Sequence, residues 1–381
     1  MGKDIPLGRI AGIKVGMNIT VLAVAALYTV VLATNRFPIE QPGLSRVAYW
    51  TAGGAGAFLL FLSLLVHELG HALVAKDEGI GVHSMALTLL GGVTRMESSP
   101  ATAGAELRVS VVGPLASAAC GVALLSGAYV MPNDGLPGLA GHVFAWIGFL
   151  NLLLAAFNIL PATPLDGGRV LSALIWMRTG SRSIAMRTTA WIGVAAGTGL
   201  AGYGLIQVRA HHAMPYGIWF LVIGGFVLMS AVRELQAAPM YSILAGVTVA
   251  DAMAKRPPSA AAWSTVADFL RTHEPDPDQQ AWPVVDSNGH VTSLLTADAI
   301  RAVDPARWSH LTVDALAVPI DRVVHLHPED DLLPALQRVD TSADRHGLVI
   351  DDAGLVLGTI DPAALHRTIG RRRAGLATEP R

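Results

Sequence analysis

The sequence predicts a polytopic α-helical membrane protein of about six transmembrane helices with a re-entrant β-hairpin, joined to a cytoplasmic α/β domain of two similar modules. Three observations predict it. Six runs free of Asp, Lys and Arg are long enough to cross a bilayer; His67-Glu68-Leu69-Gly70-His71 interrupts one of them; and beyond Arg233 the composition turns polar and proline-rich. At 381 residues, 52% hydrophobic and only 15% charged, the chain is too apolar for a soluble protein and too long for one domain. A net charge of -2 without a concentrated basic face excludes nucleic acid as a partner. The single cysteine, Cys120, excludes an intrachain disulfide framework.

The first run, 15–34, follows Lys3, Arg9 and Lys14. It lacks a small-residue cleavage site followed by a polar mature chain, so it is read as a retained helix rather than a signal peptide. The others are 47–75, 109–131, 141–165, 188–208 and 216–232. Pro161 and Pro164 must break the fourth at its end, because each removes a donor and clashes with the preceding turn. Lys76, Arg95, Arg108, Arg169, Arg178, Arg182 and Arg187 fall on the same side as the N-terminal cations. That side is therefore cytoplasmic, six crossings return the C-terminal region to it, and His71 lies toward it. Glycines at 53, 54, 56, 193, 197, 224 and 225 suit close helix packing, or else a lipid or substrate path.

Residues 83–96 are too short to cross as a helix and are rich in strand formers, with Gly91-Gly92 as a turn. They read as a hairpin dipping into the membrane, tolerable where protein or a wet cavity satisfies its backbone, or as an interfacial loop. A soluble domain begins near residue 238, leaving 1–237 as the membrane domain and 238–381 as the tail. Within the tail, modules at about 240–303 and 304–370 each hold two short strands joined through a D-x-x-G turn, Asp286 to Gly289 and Asp351 to Gly354.

The chemistry centres on the interrupted helix. Residues four apart share a helix face, so His67 and His71 can converge on one metal ion, with Glu68 beside them as a proton acceptor. Ionisable groups inside a membrane segment point to function, because hydrocarbon compensates none of them. A catalytic metal needs a third protein ligand and an open position. Asp166 fits: it follows the helix-breaking prolines on the side of His71, and Gly167 and Gly168 let the chain turn. His83, His142, His211 and His212 have no second ligand at suitable spacing and read as interfacial or packing residues.

His67-Glu68-x-x-His71, the Gly91-Gly92 hairpin, Gly113-Pro114 and Asn158-x-x-Pro161-x-x-Pro164-Leu165-Asp166-Gly167 together resemble the site-2 protease family of intramembrane zinc metalloproteases, peptidase M50 type. The tail resembles a pair of cystathionine-β-synthase (CBS) domains. The resemblance implies zinc held by His67, His71 and Asp166, and Glu68 as general base. Asn158 either donates to the developing oxyanion or caps the helix end. An edge strand at 87–93, with Leu89, Leu90, Gly91 and Gly92, would hold an extended substrate by strand addition. The implied activity is hydrolysis within a transmembrane segment of a single-span protein in the lipid bilayer, such as a membrane-bound transcription regulator or an anti-sigma factor. The alternative is a non-proteolytic metal-dependent sensor or transporter regulated by its CBS pair. CBS pairs that bind adenine nucleotides place an Asp three residues after a Ser or Thr. Thr296-Ala297-Asp298 and Thr359-Ile360-Asp361 place it two residues on, which puts nucleotide binding in doubt and leaves homodimerisation or gating as the role.

Overall fold

Six helices among the described residues are long and apolar enough to cross a membrane. The computed structural model describes residues 5–88, 91–96, 98–210, 214–244, 246–273, 279–342, 344–351 and 353–373. It divides into two units, Met1–Pro239 and Met240–Arg381.

The first unit opens with a hairpin, β1 (Ile5–Ile10) and β2 (Ile13–Met17), turned at Ala11 and Gly12 with φ of 51° and 84°. This corrects the expected helix from residue 15. Ile13 and Val15 are buried while Lys14 is exposed, a period of two that belongs to a strand. Helix α1 (Ile19–Val31) starts only after Asn18, whose side chain accepts from the Thr20 N–H at 3.1 Å. A π turn, Leu32–Arg36, then leads into α2 (Phe37–Glu40), so the first span reaches past Arg36. That guanidinium is held by the Trp146 ring at 3.5 Å and by Glu40 at 2.6 Å.

Helix α3 (Arg46–Asp77) is capped by Ser45 and carries the H-E-L-G-H segment in its last third. Strands β3 (Val82–Thr88) and β4 (Gly91–Met96) follow. β2 pairs in parallel with β3, and β3 antiparallel with β4, giving a sheet of order β1-β2-β3-β4 with β4 at its edge. Then come α4 (Ala103–Tyr129), α5 (Gly135–Asn158), α6 (Asp166–Thr179), α7 (Arg182–Arg209) and α8 (Met214–Ile243). α5 stops before Pro161 and Pro164, and α6 ends on the left-handed Gly180, φ 67°.

The second unit interleaves two four-stranded sheets. The chain runs α9 (Val249–Ala252), β5 (Ala254–Lys255), β6 (Ala260–Ala261), α10 (Val266–Thr272), β7 (Ala281–Val285), β8 (Val291–Thr296), α11 (Ala297–Arg301), α12 (Val313–Leu316) and β9 (Val318–Pro319). It continues through β10 (Val324–Leu326), α13 (Leu332–Thr341), β11 (Gly347–Ile350), β12 (Val356–Ile360) and α14 (Ala363–Arg373). The sheets are β6-β7-β8-β9 and β10-β11-β12-β5, so each module lends an edge strand across a cut at 303. In each hairpin turn an aspartate accepts two backbone N–H bonds, Asp286 from Asn288 and His290 and Asp351 from Ala353 and Leu355. Gly289 and Gly354 close these turns at φ 82° and 81°.

Candidate metal centre

His67 and His71 lie one turn apart on α3, and their Nε2 atoms are 3.2 Å from each other. Asp166 is the first residue of α6, and its Oδ2 lies 3.3 Å from both Nε2 atoms. The seven residues between α5 and α6 make the approach possible by folding tightly. Gly167 and Gly168 do this inside the helix rather than at a turn: a Cβ on Gly168 would stand 2.7 Å from the Thr163 nitrogen. Neither glycine has a positive φ among the described residues, so close packing, not chain reversal, is what they permit.

The three donor atoms suit zinc. Zinc bonds of about 2.0–2.1 Å at tetrahedral angles put ligand atoms about 3.3–3.4 Å apart, close to the 3.2–3.3 Å separations found. Asp166 Oδ2 is buried and accepts no hydrogen bond, an orphan that a cation would satisfy. The far side of each imidazole is fixed. His71 Nδ1 is 2.6 Å from the Val109 carbonyl, which can only accept, so Nδ1 carries the proton and Nε2 keeps its lone pair for a metal. His67 Nδ1 is 2.9 Å from the Ser117 hydroxyl, which can serve the same purpose. Both histidines are buried. Gly113, between Val109 and Ser117 on α4, clears the space: a Cβ there would meet His67 Nε2 at 2.7 Å and His71 Nε2 closer still.

Glu68 lines the same cleft of about 560 Å³, together with Asn158 at the end of α5. The Thr94 hydroxyl on β4 donates to Glu68 Oε2 at 3.4 Å. Gly92 packs so closely on Glu68 that a Cβ would stand 2.6 Å from its Oε1. Of the residues expected to hold substrate, Leu89 and Leu90 lie outside the described residues. Gly91 and Gly92 do not form the turn; they open β4, paired with Thr88 and Leu87. Leu87 and Thr88 are on the inner strand β3, so the edge is β4 alone. His83 is exposed on β3, and His142 sits 3.7 Å from Glu40.

Gly113 entered the sequence reading only as part of the family pattern, without a role, and Ser117 was not singled out, although a small residue and a hydroxyl four apart in an apolar helix carry a usable signal. Val109 acts through its carbonyl and carried none. Arg169 and the α8 residues Ile223, Phe226 and Val227 also line the cleft.

The model of peptidase family M50 matches residues 55–137 and 135–201, the segments that hold the histidines, Gly113 and Asp166. The chain is 35% identical over 369 residues to the putative zinc metalloprotease Rip3 of Mycobacterium tuberculosis, covering 97% of this chain and 93% of that protein. Among solved structures it is similar to a site-2 protease from Methanocaldococcus jannaschii, with 28% identity, TM-score 0.40, and coverage of 61% of this chain and 95% of that one. The CBS-pair protein CBSX2 of Arabidopsis thaliana matches at 17% identity and TM-score 0.29, over 34% of this chain and 98% of its own. With the Rip3 identity extending over nearly its whole length, the chain belongs to peptidase family M50, as a multi-pass membrane zinc metalloprotease of the site-2 type.

Proposed function

We propose that His67, His71 and Asp166 hold the zinc of this peptidase, and that Glu68 is its general base, acting on an unwound transmembrane segment of a single-span protein. The observation that carries the reading is the mutual 3.2–3.3 Å spacing of three inward-facing donors, with a protein hydrogen-bond partner on the outer nitrogen of each imidazole. A zinc ion bound there supplies a water of near-neutral pKa and a polarised scissile carbonyl. Glu68 takes the proton as the water oxygen bonds to the carbonyl carbon, and returns it to the amide nitrogen as the C–N bond breaks. Asn158 lines the cleft, and its amide would donate to the carbonyl oxygen as negative charge gathers on it. Burial of the histidines and apolar walls from α5 and α8 keep bulk water from competing.

The substrate joins the open edge of β4 as an added strand, since a helical segment shields its own amides. The Lys and Arg distribution supports a cytoplasmic N-terminus and second unit, so cleavage releases a cytoplasmic segment such as a regulator or an anti-sigma factor. In the second unit the Asp361 carboxylate is already engaged by the Ala364 N–H at 2.9 Å and by Arg367 at 3.0 Å. This favours homodimerisation or gating over nucleotide binding. Titration of the full-length protein with ATP, ADP and AMP checks it, and saturable heat with any of them would reverse that preference.

The deciding experiment uses Glu68→Gln. It keeps the zinc and loses cleavage, and membrane proteins that co-purify with it are the substrates. Retained cleavage by Glu68→Gln would reject Glu68 as the base. Unchanged zinc content in His67→Ala would reject the ligand set.

A further inference from the structure

The cleft carries a fixed positive charge that the chemistry above does not use. Arg169 is on α6, three residues past Asp166 and so on the same face of that helix. It is exposed, and it lines the cleft together with His67, Glu68 and Asp166. Among the described residues that line the cleft it is the only lysine or arginine.

Nothing in the fold rewards a cation at this place. Arg169 is the fourth residue of α6, close to the positive end of the helix dipole, which disfavours it. Among the described residues no carboxylate lies within ion-pair distance of it, and the nearby acids have other partners. Asp166 Oδ2 is 3.3 Å from both imidazoles, and Glu68 Oε2 accepts from Thr94 at 3.4 Å. Glu106, on α4, pairs with Arg182 of α7 at 3.7 Å. Glu234, on α8, is near enough for the charge of Arg169 to act on it, yet it neither pairs with Arg169 nor lines the cleft. Ionised side chains in an apolar bundle are normally paired, and those that are not mark function. A guanidinium offers a planar fork of N–H donors that matches a carboxylate at two points.

We propose that Arg169 is the carboxylate-binding residue of the cleft. The proposal rests on the reading of this cleft as the peptidase active site, and the carboxylate has two sources. One is an acidic side chain of the substrate beside the scissile bond, which makes Arg169 a specificity residue. The other is hydrolysis itself: the water oxygen stays on the acyl carbon, which leaves as a carboxylate, while the amine takes the proton.

The test uses the full-length, zinc-loaded protein in detergent and internally quenched apolar peptides that carry Asp, Asn or Lys in turn at each position flanking the cut. For a side-chain carboxylate, an Asp peptide should have a KM about tenfold or more below that of its Asn counterpart, the scale of a charge-assisted pair. Arg169→Gln should erase that preference and Arg169→Lys should keep part of it. Arg169→Glu should turn it into a preference for Lys, a reversal that a merely structural role would not produce. For the product carboxylate, the peptides should show no such preference. Instead, apolar product peptides ending in a carboxylate should inhibit at about tenfold lower concentration than their amides. Zinc also favours the acid, so only the part of that difference lost in Arg169→Gln, at unchanged zinc content, counts for Arg169. If Arg169→Gln does not fold, Arg169→Lys and Arg169→Glu carry the same comparisons. Asp-to-Asn and acid-to-amide ratios that stay at wild-type values in the variants would overturn the proposal. Glu68→Gln separates the two readings. If it abolishes cleavage of these peptides while no ratio depends on Arg169, the peptidase reading stands and the carboxylate site is rejected. If it cleaves them at the wild-type rate, the cleft is not the active site and the proposal falls with that reading.

Discussion

Replacing Gly113 with alanine asks whether the gap between the two imidazoles is a metal position or merely a packing accident. The added Cβ would stand 2.7 Å from His67 Nε2 and 2.6 Å from His71 Cε1, where ordinary contact begins at 3.4 Å. The overlap at these two atoms is thus 0.7–0.8 Å, His71 Nε2 would be closer still, and something must move by at least that much. Gly113 sits mid-helix in α4, so the backbone resists. The rings are tied to that same helix through Ser117 and Val109, so they yield only by giving up those bonds and leaving the 3.3 Å distances to Asp166. Zinc sites tolerate about 0.2 Å in bond length, well below the displacement required. Overpacking should cost about 1–3 kcal/mol of stability and leave the protein folded. Zinc affinity should fall by about 100-fold or more, at or beyond the upper end for loss of an outer partner. Competition against a chelator of known affinity measures the affinity, and helical circular dichroism with a melting curve controls for folding. If Gly113→Ala purified with one zinc per chain at wild-type affinity, the inference that this space belongs to the metal would be wrong.

Gly92→Ala should behave oppositely, because its Cβ meets the base rather than the ligands: zinc stays, kcat collapses, and loss of zinc in this variant would contradict the division of roles. Ser117→Ala removes the partner of His67 Nδ1, and about a tenfold weakening of zinc binding is expected from chelator competition. Glu68→Gln should retain stoichiometric zinc and lose turnover by about 10²-fold or more in single-turnover cleavage of a reconstituted substrate. Chelation should abolish cleavage by the wild-type protein, and re-added zinc should restore it.

The three side chains proposed as metal donors, which the structure brings within 3.2–3.3 Å of one another, were legible in the sequence because each announces itself: two imidazoles at helical spacing inside an apolar run, and a carboxylate just after two prolines. The six spans were legible for the same reason, since hydropathy does not depend on tertiary context. What escaped were elements whose signal is two-sided. Val15 reads as the start of an apolar run, yet Ile13-Lys14-Val15 alternates, and pairing of β2 with β3 makes it a strand. Gly91-Gly92 has the composition of a turn, but no local pattern reveals that Glu68, from a helix more than twenty residues earlier, needs the space.

Gly92 also ties the base to the edge on which a substrate would bind. Leu87 gives its carbonyl to the Asn18 N–H at 2.8 Å, so its backbone polar groups face β2 rather than β4. Its antiparallel partner Gly92 therefore belongs to a pair that exchanges no hydrogen bonds, and turns its own N–H and C=O to the open edge. Thr94, two residues on, does the same, and its hydroxyl reaches Glu68. A peptide added to β4 would pair with the two residues that contact the base, about 4.8 Å from their backbone, one strand spacing away. Thr94→Val removes only the hydroxyl, whereas Thr94→Pro also removes the outward N–H. With zinc retained in both, cleavage should survive largely in the valine variant and disappear in the proline variant. Equal cleavage by the two would mean that the substrate does not bind by strand addition at this edge.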